Sequence, residues 1–272
     1  MGNISIINNA VSLELIVDHF SFFLMEMTCL SPYSGHEVQT DGEFDYFHSL
    51  SGESLLNGIF INDINAIEDY SAISKKLDRF NDSNNPFTLW MTGEPTPAFN
   101  QLLDSKWLKE STPLICIGSD LDEVTQLQPM KDLETKPVVS KSDYDLYMDI
   151  LSTGFEFSEK SHYEFKAMLH WHDKPYSPLK HYIAYYRGDP ASVISTVRHR
   201  DALGMYCGTT LPQFQKLGIC TELYRFTMDE AKKSGCKTCV YQSVVPAIIN
   251  HVSKKFGFIE YGFLRRYLKQ NS

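Results

Sequence analysis

The sequence is short of the features that would decide its class at once. Its six cysteines, at 29, 116, 207, 220, 236 and 239, are too sparse among 272 residues for a disulfide-stapled scaffold. The longest apolar run near the start, 20–25, is broken by Ser21 and is far too short to span a bilayer, so no membrane partner is expected. Basic residues are outnumbered 25 to 34, giving a net charge of −9, which argues against a broad nucleic-acid surface and favours small polar or cationic partners. The opening MGNISIINNA has no basic segment ahead of an apolar core, and Ile6 stands where a myristoylation motif needs Ser or Thr. A reducing cytoplasm is the expected location. Neither a Walker loop nor a GxGxxG run occurs. Cys236 and Cys239 form a CxxC without a second pair, and HWHD, with His170, His172 and Asp173, lacks a third ligand at sensible spacing, so no metal is expected.

What is present is an ordinary globular composition, 43% hydrophobic and 22% charged, long enough for one large domain or two modest ones. The first half reads as a helix over 12–29, a polar loop over 31–42 and a strand over 57–62. A helix over 63–80 follows, with Ile64, Ile67, Tyr70, Ile73 and Leu77 at helical spacing. The strand FTLWMTG comes next, then a helix with Thr96 as cap and Pro97 at its first position, running through KWLKE, and the strand PLICIG. Between 120 and 140 the chain is charged, carries Pro129 and Pro137 and has no period, which marks a domain boundary. Beyond it the order is helix 142–151, helix 159–170, strand 181–186, a turn at Arg187-Gly188-Asp189-Pro190 and strands 191–199 and 203–210. Helix 218–234, strand 238–243, helix 246–256 and a last strand 258–267 complete the chain, an α+β succession.

One stretch carries chemistry: TTLPQFQKLGICTELYRF, 209–226. Ile219, Leu223, Phe226 and Ala231 fall roughly on one face, so a helix starts at or just before Gly218 and points its free N–H groups into the loop at 215–217. Such a terminus favours an anion by about 0.3–1 kcal/mol through its dipole, and each charge-assisted N–H bond adds roughly 1.5–3 kcal/mol. A pyrophosphate fits, and Gly218, without a Cβ, would let its oxygens approach. On spacing alone, a glycine at a strand-to-helix junction is more often a plain turn residue.

The run Gln215-Lys216-Leu217-Gly218-Ile219-Cys220 resembles the acetyl-CoA motif R/Q-x-x-G-x-G/A of the GCN5-related N-acetyltransferases (GNAT). The flanks are similar too. HYIAYYRGDPASVISTVRHRDALGMYCGTT resembles the family's paired strands and its splayed fourth strand, VYQSV its fifth, and KKFGFIEYGFLRRY its closing helix end, Gly-Phe signature and final strands. The resemblance implies a GNAT fold with a mixed central sheet over 136–272, preceded at 1–130 by a degenerate GNAT-like lobe that lacks the anion motif, and hence one cofactor site. A fragment beginning near Lys136 is therefore expected to keep cofactor binding by itself.

Carried over residue by residue, the resemblance implies that backbone groups of Gln215, Lys216, Leu217, Gly218, Ile219, Cys220 and Thr221 hold the pyrophosphate of acetyl-CoA. Gly208, Thr209 and Thr210 would pair with the pantetheine and offer an N–H to the thioester oxygen. Cys220 replaces the second small residue of the motif; a thiol at a helix N-terminus can have a lowered pKa, but a small buried filler is the more common role of such a residue. The family's tyrosine acid, four residues before the Gly of Gly-Phe, has Ser253 in its place. Pro246 stands near the family's asparagine, for which Ser243 or Asn250 are the substitutes at hand. No carboxylate lies on the fourth strand; Glu156, His170, His172 and Asp173 are the candidate bases by location. The expected activity is acetyl transfer from acetyl-CoA to a primary amine of a small molecule. The alternative, which Ser253 and Cys220 permit, is a non-catalytic acyl-CoA-binding or regulatory protein.

Overall fold

The computed structural model describes residues 11–31, 33–40, 43–83, 85–169 and 177–269. In chain order the elements are α1 (Leu13–Cys29), β1 (Glu37–Thr40), β2 (Phe44–His48), β3 (Asn57–Ile61), α2 (Ser71–Ser83), β4 (Thr88–Met91), α3 (Pro97–Ser105) and β5 (Leu108–Asp120). The second half adds β6 (Leu133–Pro137), α4 (Lys141–Phe155), α5 (Glu159–Leu169), β7 (Leu179–Tyr186), β8 (Asp189–His199) and β9 (Ala202–Thr210). It closes with α6 (Ile219–Lys233), β10 (Thr238–Ser243), α7 (Pro246–Phe256) and β11 (Ile259–Lys269).

All eleven strands form one mixed sheet in the order β1-β2-β3-β4-β11-β5-β10-β9-β8-β7-β6. The order does not divide at the sequence boundary. β5, from the first half, lies between β10 and β11, and β11, from the end of the chain, lies between β4 and β5. Each is antiparallel to its neighbours, with Thr238↔Asp120 to Ser243↔Ile115 on one side and Arg265↔Met91 to Leu268↔Thr88 on the other. The two halves thus exchange their last strands. The run of Cys116 and Ile117, both buried although they point to opposite faces, is what a strand covered on both sides requires.

Helices cover both faces. Under α1, α4 and α5 the core is continuous across the two halves, from Phe47 and Trp90 through Phe20 and Leu264 to Tyr206 and Tyr147. On the other face it is split: Leu223, Met228 and Phe256 lie under α6 and α7, and Leu77, Phe80 and Phe99 pack with Tyr267 under α2 and α3. α1, capped by Ser12 at Leu15 N–H, bridges the halves. Its Ile16 carbonyl accepts from Gln242 Nε2 at 3.3 Å, and its Thr28 hydroxyl donates to the Leu24 carbonyl at 2.9 Å and reaches the Leu56 carbonyl at 3.4 Å. His19 Nδ1 meets Tyr206 Oη at 2.8 Å, over Gly204, where any Cβ would overlap the imidazole ring. Glu164 of α5, itself buried, accepts the Gly52 N–H at both carboxylate oxygens, 3.1 Å each, which latches the helix to the first half.

The expected elements differ from the observed ones in four places. The polar segment read as loop contains β1, an edge strand held by its register with β2, Glu37↔His48 to Thr40↔Asp45; β2 was not expected either. The helix read from 63 starts only at Ser71, because Asp63 caps a short turn at Asn65 N–H and the Asp69 carboxylate takes both the N–H and hydroxyl of Ser71. Ile64 and Ile67 are buried as anchors of that loop and not as helix positions. α3 stops at Ser105, Trp107 turns left-handed at φ 59°, and β5 starts at Leu108, well before PLICIG. Finally, β6 forms inside the boundary segment by pairing with β7.

Two outcomes follow from this architecture. A fragment beginning at Lys136 lacks β5 and leaves the facing edges of β10 and β11 open, so it should lose cooperative unfolding and cofactor binding together; adding 108–120 as a peptide should restore both in part, as circular dichroism and calorimetry would show. His19 is sealed from solvent, and its desolvation, with the nearby charge of His199 adding to it, holds its pKa at about 4, below the 6.5 of a free side chain. The unfolded chain therefore takes up this proton first as pH falls. Stability should be complete above about pH 6.5 and drop by roughly 3 kcal/mol towards pH 4. A His19→Asn chain, compared by urea unfolding across that window, should lose this part of the slope.

Candidate functional site

The site lies where β9 and β10 part. Their parallel ladder runs from Thr238↔Ala202 to Tyr241↔Met205 and ends there, although β9 continues to Thr210 and β10 to Ser243. The parting coincides with a bulge: Ser195 pairs with Tyr206 and Val193 with Thr209, so Cys207 and Gly208 together face Ile194. Cys207 sits in the left-handed region at φ 53°. An extra residue bends a strand away from its neighbour and frees backbone groups from the ladder. The bent end is pinned to β8, where the Ser192 hydroxyl donates to the Thr209 carbonyl at 2.6 Å and lies 2.8 Å from Thr210 Oγ1.

From Thr210 the chain passes through one turn at Pro212–Phe214 to the helix start. Gln215 Nε2 donates back to the Thr210 carbonyl at 3.3 Å and so spans the loop. Lys216 and Gly218 both have positive φ, 63° and 87°. Gly218 is the N-cap of α6 and supplies no side-chain cap; the first bond into the helix runs from Glu222 N–H to the Gly218 carbonyl at 3.1 Å. The N–H groups of Ile219, Cys220 and Thr221 therefore have no intrahelical acceptor. A Cβ built on Gly218 would meet nothing within 4 Å, so the space in front of it is open. Glu222, a carboxylate in the first turn, would oppose an anion there, but Arg225 Nε takes it at 2.8 and 2.9 Å and the Met130 N–H at 3.0 Å.

The other wall is α7. Thr221 Oγ1 lies 2.7 Å from His251 Nε2, which ties the start of α6 to α7. Ser243 ends β10 and its hydroxyl accepts the Val245 N–H at 3.1 Å; Asn250 is exposed on α7, and Ser253, half-buried, lies one turn further on. Below the parting, Tyr224 and Tyr241 meet edge to face at 5.5 Å, and burial raises the pKa of both phenols. Across the sheet, the end of α4 abuts β9: a Cβ on Gly154 would overlap Thr209 Oγ1. Exposed Glu156 caps α4 two residues on, at φ 54°. Gly208–Thr210 and the 215–221 loop follow one another at the parting, Ser243 ends β10, Asn250 and Ser253 lie on α7, which His251 ties to the start of α6, and Glu156 ends the helix whose Gly154 abuts Thr209. His170, His172 and Asp173 lie outside the described residues.

Of the two readings of Cys220, the structure favours the buried filler. The Cys220 thiol is not lowered: although the residue is exposed as a whole, its sulfur interacts with Tyr224, and desolvation pushes its pKa up. Cys236 and Cys239 are free, buried thiols. Sequence reading also missed Cys207, whose pairing with Gly208 inside a strand was the available sign of a bulge, and it missed Ser192 and His251, for which no local signal exists.

Among the described residues, the first half shows no such parting of strands. β3 and β4 stay paired from Gly58↔Thr88 to Ile61↔Met91, the ends of both strands, and the loop before α2 carries Asp63, Glu68 and Asp69 and no glycine. A cleft of about 790 Å³ does lie near those strand ends, but its lining includes Glu14, Asp18 and Asp63, and it sits at the opposite end of the sheet from the β9–β10 parting.

This architecture is the fold of GNAT proteins. A profile of the acetyltransferase (GNAT) family matches residues 144–258, less than half of the chain. A GCN5-related N-acetyltransferase from Kribbella flavida superposes with a TM-score of 0.70 at 10% identity, covering 97% of this chain and 98% of that one. A functionally unknown conserved protein from Staphylococcus epidermidis ATCC 12228 gives 0.64 at 12% identity over 89% and 96%. A tandem GNAT protein from the clavulanic acid biosynthesis pathway gives 0.55 at 9% over 96% and 98%. At such identities the likeness is one of fold. A search of curated proteins finds no match to the sequence. Among the described residues, no helix is long and apolar enough to cross a membrane.

Proposed function

We propose that the chain transfers an acetyl group from acetyl-CoA to a primary amine of a small molecule, with 136–272 as the cofactor-binding lobe and 1–130 as scaffold and acceptor wall. The observation that carries this reading is the parting of β9 from β10 beside the uncapped, glycine-led start of α6. Open space in front of Gly218 and the unmatched donors of Ile219, Cys220 and Thr221 suit a pyrophosphate. Gly208, Thr209 and Thr210, bent out of the ladder, present backbone groups to an amide-bearing chain lying in the opening, and a bulge N–H is the natural donor to a carbonyl oxygen that gains charge as the amine attacks.

Acetyl-CoA supplies the activated thioester. The protein must deliver a neutral amine, which for a free pKa near 10 costs about 4–5 kcal/mol at pH 7. Glu156, two residues beyond the contact between Gly154 and Thr209, is the described carboxylate placed to accept that proton, directly or through water. Ser253 is a far weaker acid than a phenol and has the shorter reach, so the leaving sulfur is protonated chiefly from solvent. Cofactor capture without turnover is the reading this same substitution would favour.

The direct test is thiol release from acetyl-CoA over a panel of polyamines, amino acids, aminoglycosides and peptides; release with none of them would leave only acyl-CoA capture. Acetyl-CoA at 100 times its dissociation constant should stabilise the protein by about 2.7 kcal/mol. Gly218→Val should abolish most of that shift, because it places a branched Cβ in the open approach and a β-branched residue at φ 87°. An undiminished shift in that variant would refute the cofactor assignment. Ser253→Ala should lower turnover less than about tenfold, since a well-placed general acid is worth roughly 10²–10⁴; a loss in that larger range with unchanged acetyl-CoA affinity would make Ser253 the acid.

A further inference from the structure

The chain has seven arginines, and six of them find acceptors. Arg79 pairs with Glu37, Arg187 with Asp132, Arg200 with Asp18, Arg225 with Glu222 and Asp229, and Arg265 with Glu94 and Glu110, while Arg198 Nε donates to the Arg200 carbonyl. Arg266 does not. Its Nε is sealed from solvent and has no hydrogen-bond partner, and the residue is only partly exposed. Burial alone lowers its pKa, with no carboxylate in range to offset the cost. A guanidinium N–H sealed in this way without an acceptor is unfavourable unless some other group meets it.

A second orphan donor stands beside it. Trp90 of β4 is the direct cross-strand partner of Arg266 in β11, so the two side chains leave the sheet on the same face. Trp90 is 2% exposed, and its Nε1–H also has no acceptor. Two unmet N–H donors, one of them cationic, on directly paired residues define a place for an anion and not for a methyl group or a cation. The guanidinium fork matches a carboxylate in both geometry and charge.

Packed rings link the pair to the strand that parts from β10. Trp90 packs edge-on against Phe20 of α1, with ring centroids 5.3 Å apart, and Phe20 stacks on Tyr206 at 6.1 Å. Tyr206 is the residue before the bulge at Cys207. One phenyl ring therefore separates the orphan donors from the strand segment that bends out of the ladder, on the face that also carries α4 and its contact with Thr209. The exchange of β5 and β11 makes this possible, since it sets Arg266 of the second half against Trp90 of the first.

We infer that Arg266 and Trp90 form a carboxylate subsite of the acceptor cleft, so that the amine acetylated by this protein carries a carboxylate at its far end. The inference rests on the acetyl-transfer reading above and narrows its substrate class: the amine group lies at the β9 bulge and the carboxylate at the seam between the halves. Arg266 is a specificity-determining residue, and Trp90 fixes the orientation of the bound carboxylate.

The test uses the full chain and matched acceptor pairs, each an amino acid and its carboxamide, with thiol release from acetyl-CoA as readout. The carboxylate member should be preferred in kcat/KM by about 10–100-fold, the worth of a hydrogen bond to a charged group. Arg266→Met should collapse that ratio towards one through KM, Arg266→Lys should keep part of it, and Trp90→Phe should reduce it several-fold. A ratio that survives Arg266→Met overturns the inference. A second measurement needs no turnover: succinate should raise the melting temperature of the native chain and not that of Arg266→Met, and equal shifts overturn the inference. Without ligand, Arg266→Met should melt no lower than the native chain, because it removes a sealed N–H that has no acceptor; a large drop would make Arg266 a structural residue and sink the subsite. Failure of the parent reading looks different, with no thiol release from any acceptor and no stabilisation by acetyl-CoA.

Discussion

The antiparallel pairing of β5 with β11 is the interaction on which the rest of the molecule depends. It runs from Ile259↔Gly118 to Lys269↔Leu108, nearly the full length of both strands, and each strand also forms the edge contact of the opposite half. Two half-sheets that would each end in an exposed edge instead close on one another. The continuous core under α1 follows, since a helix can lie across the seam only if the sheet beneath it does not break. The latch between Glu164 and Gly52 works against a fixed base for the same reason. Rigidity at the seam is then available to hold a cleft whose walls come from both halves.

Strained backbone recurs at the opening, as it does elsewhere in the described chain at Leu50, Trp107 and Asp132. Cys207, Lys216 and Gly218 all hold positive φ within twelve residues, and for the two that are not glycine this costs of order 1–3 kcal/mol each. Such conformations persist where neighbours over-determine them. Here Ser192 fastens Thr209 and Thr210, Gln215 fastens the loop to Thr210, and Thr221 meets His251. The arrangement holds backbone donors in place without filling the space before them, which is the condition for binding a phosphate by main-chain groups.

Much of this was legible in the sequence, and the reasons for the remainder are physical. α6 and its cap, α7, β10 and the strands β7 to β9 were readable because their apolar period, their punctuating glycines and their burial agree. The capping of α3 by Thr96 was readable for the same reason: its hydroxyl accepts the Phe99 N–H at 3.1 Å, as a local rule requires. β1 and β6 were missed because edge strands of polar residues are made by their partners and not by their own composition. The exchange of β5 and β11 was invisible, because PLICIG and the final strand have the same apolar character whichever edge they join. The solitude of Arg266 was likewise unreadable. In the sequence it stands beside Arg265, and the alternation of side chains along β11 sends one to a face where two glutamates meet it and the other to the face of Trp90.

The two halves repeat one plan with opposite electrostatic outcomes, and this bears on how an acidic protein binds a polyphosphate. A net charge of −9 repels such a ligand at long range, but screening shortens that repulsion to about 8–10 Å, and main-chain donors act at contact. The decision is therefore local. After β9 the chain offers Lys216, an open glycine and three unmatched N–H groups, with Glu222 turned to Arg225. After β3 it offers Asp63 and Asp69, whose side chains already take the N–H groups of Asn65 and Ser71, in a loop whose flanking strands never part. Those carboxylates occupy donors that an anion would need. The same fold thus has its backbone donors free in one half and satisfied from within in the other, which is why the proposed function puts the cofactor in the second half.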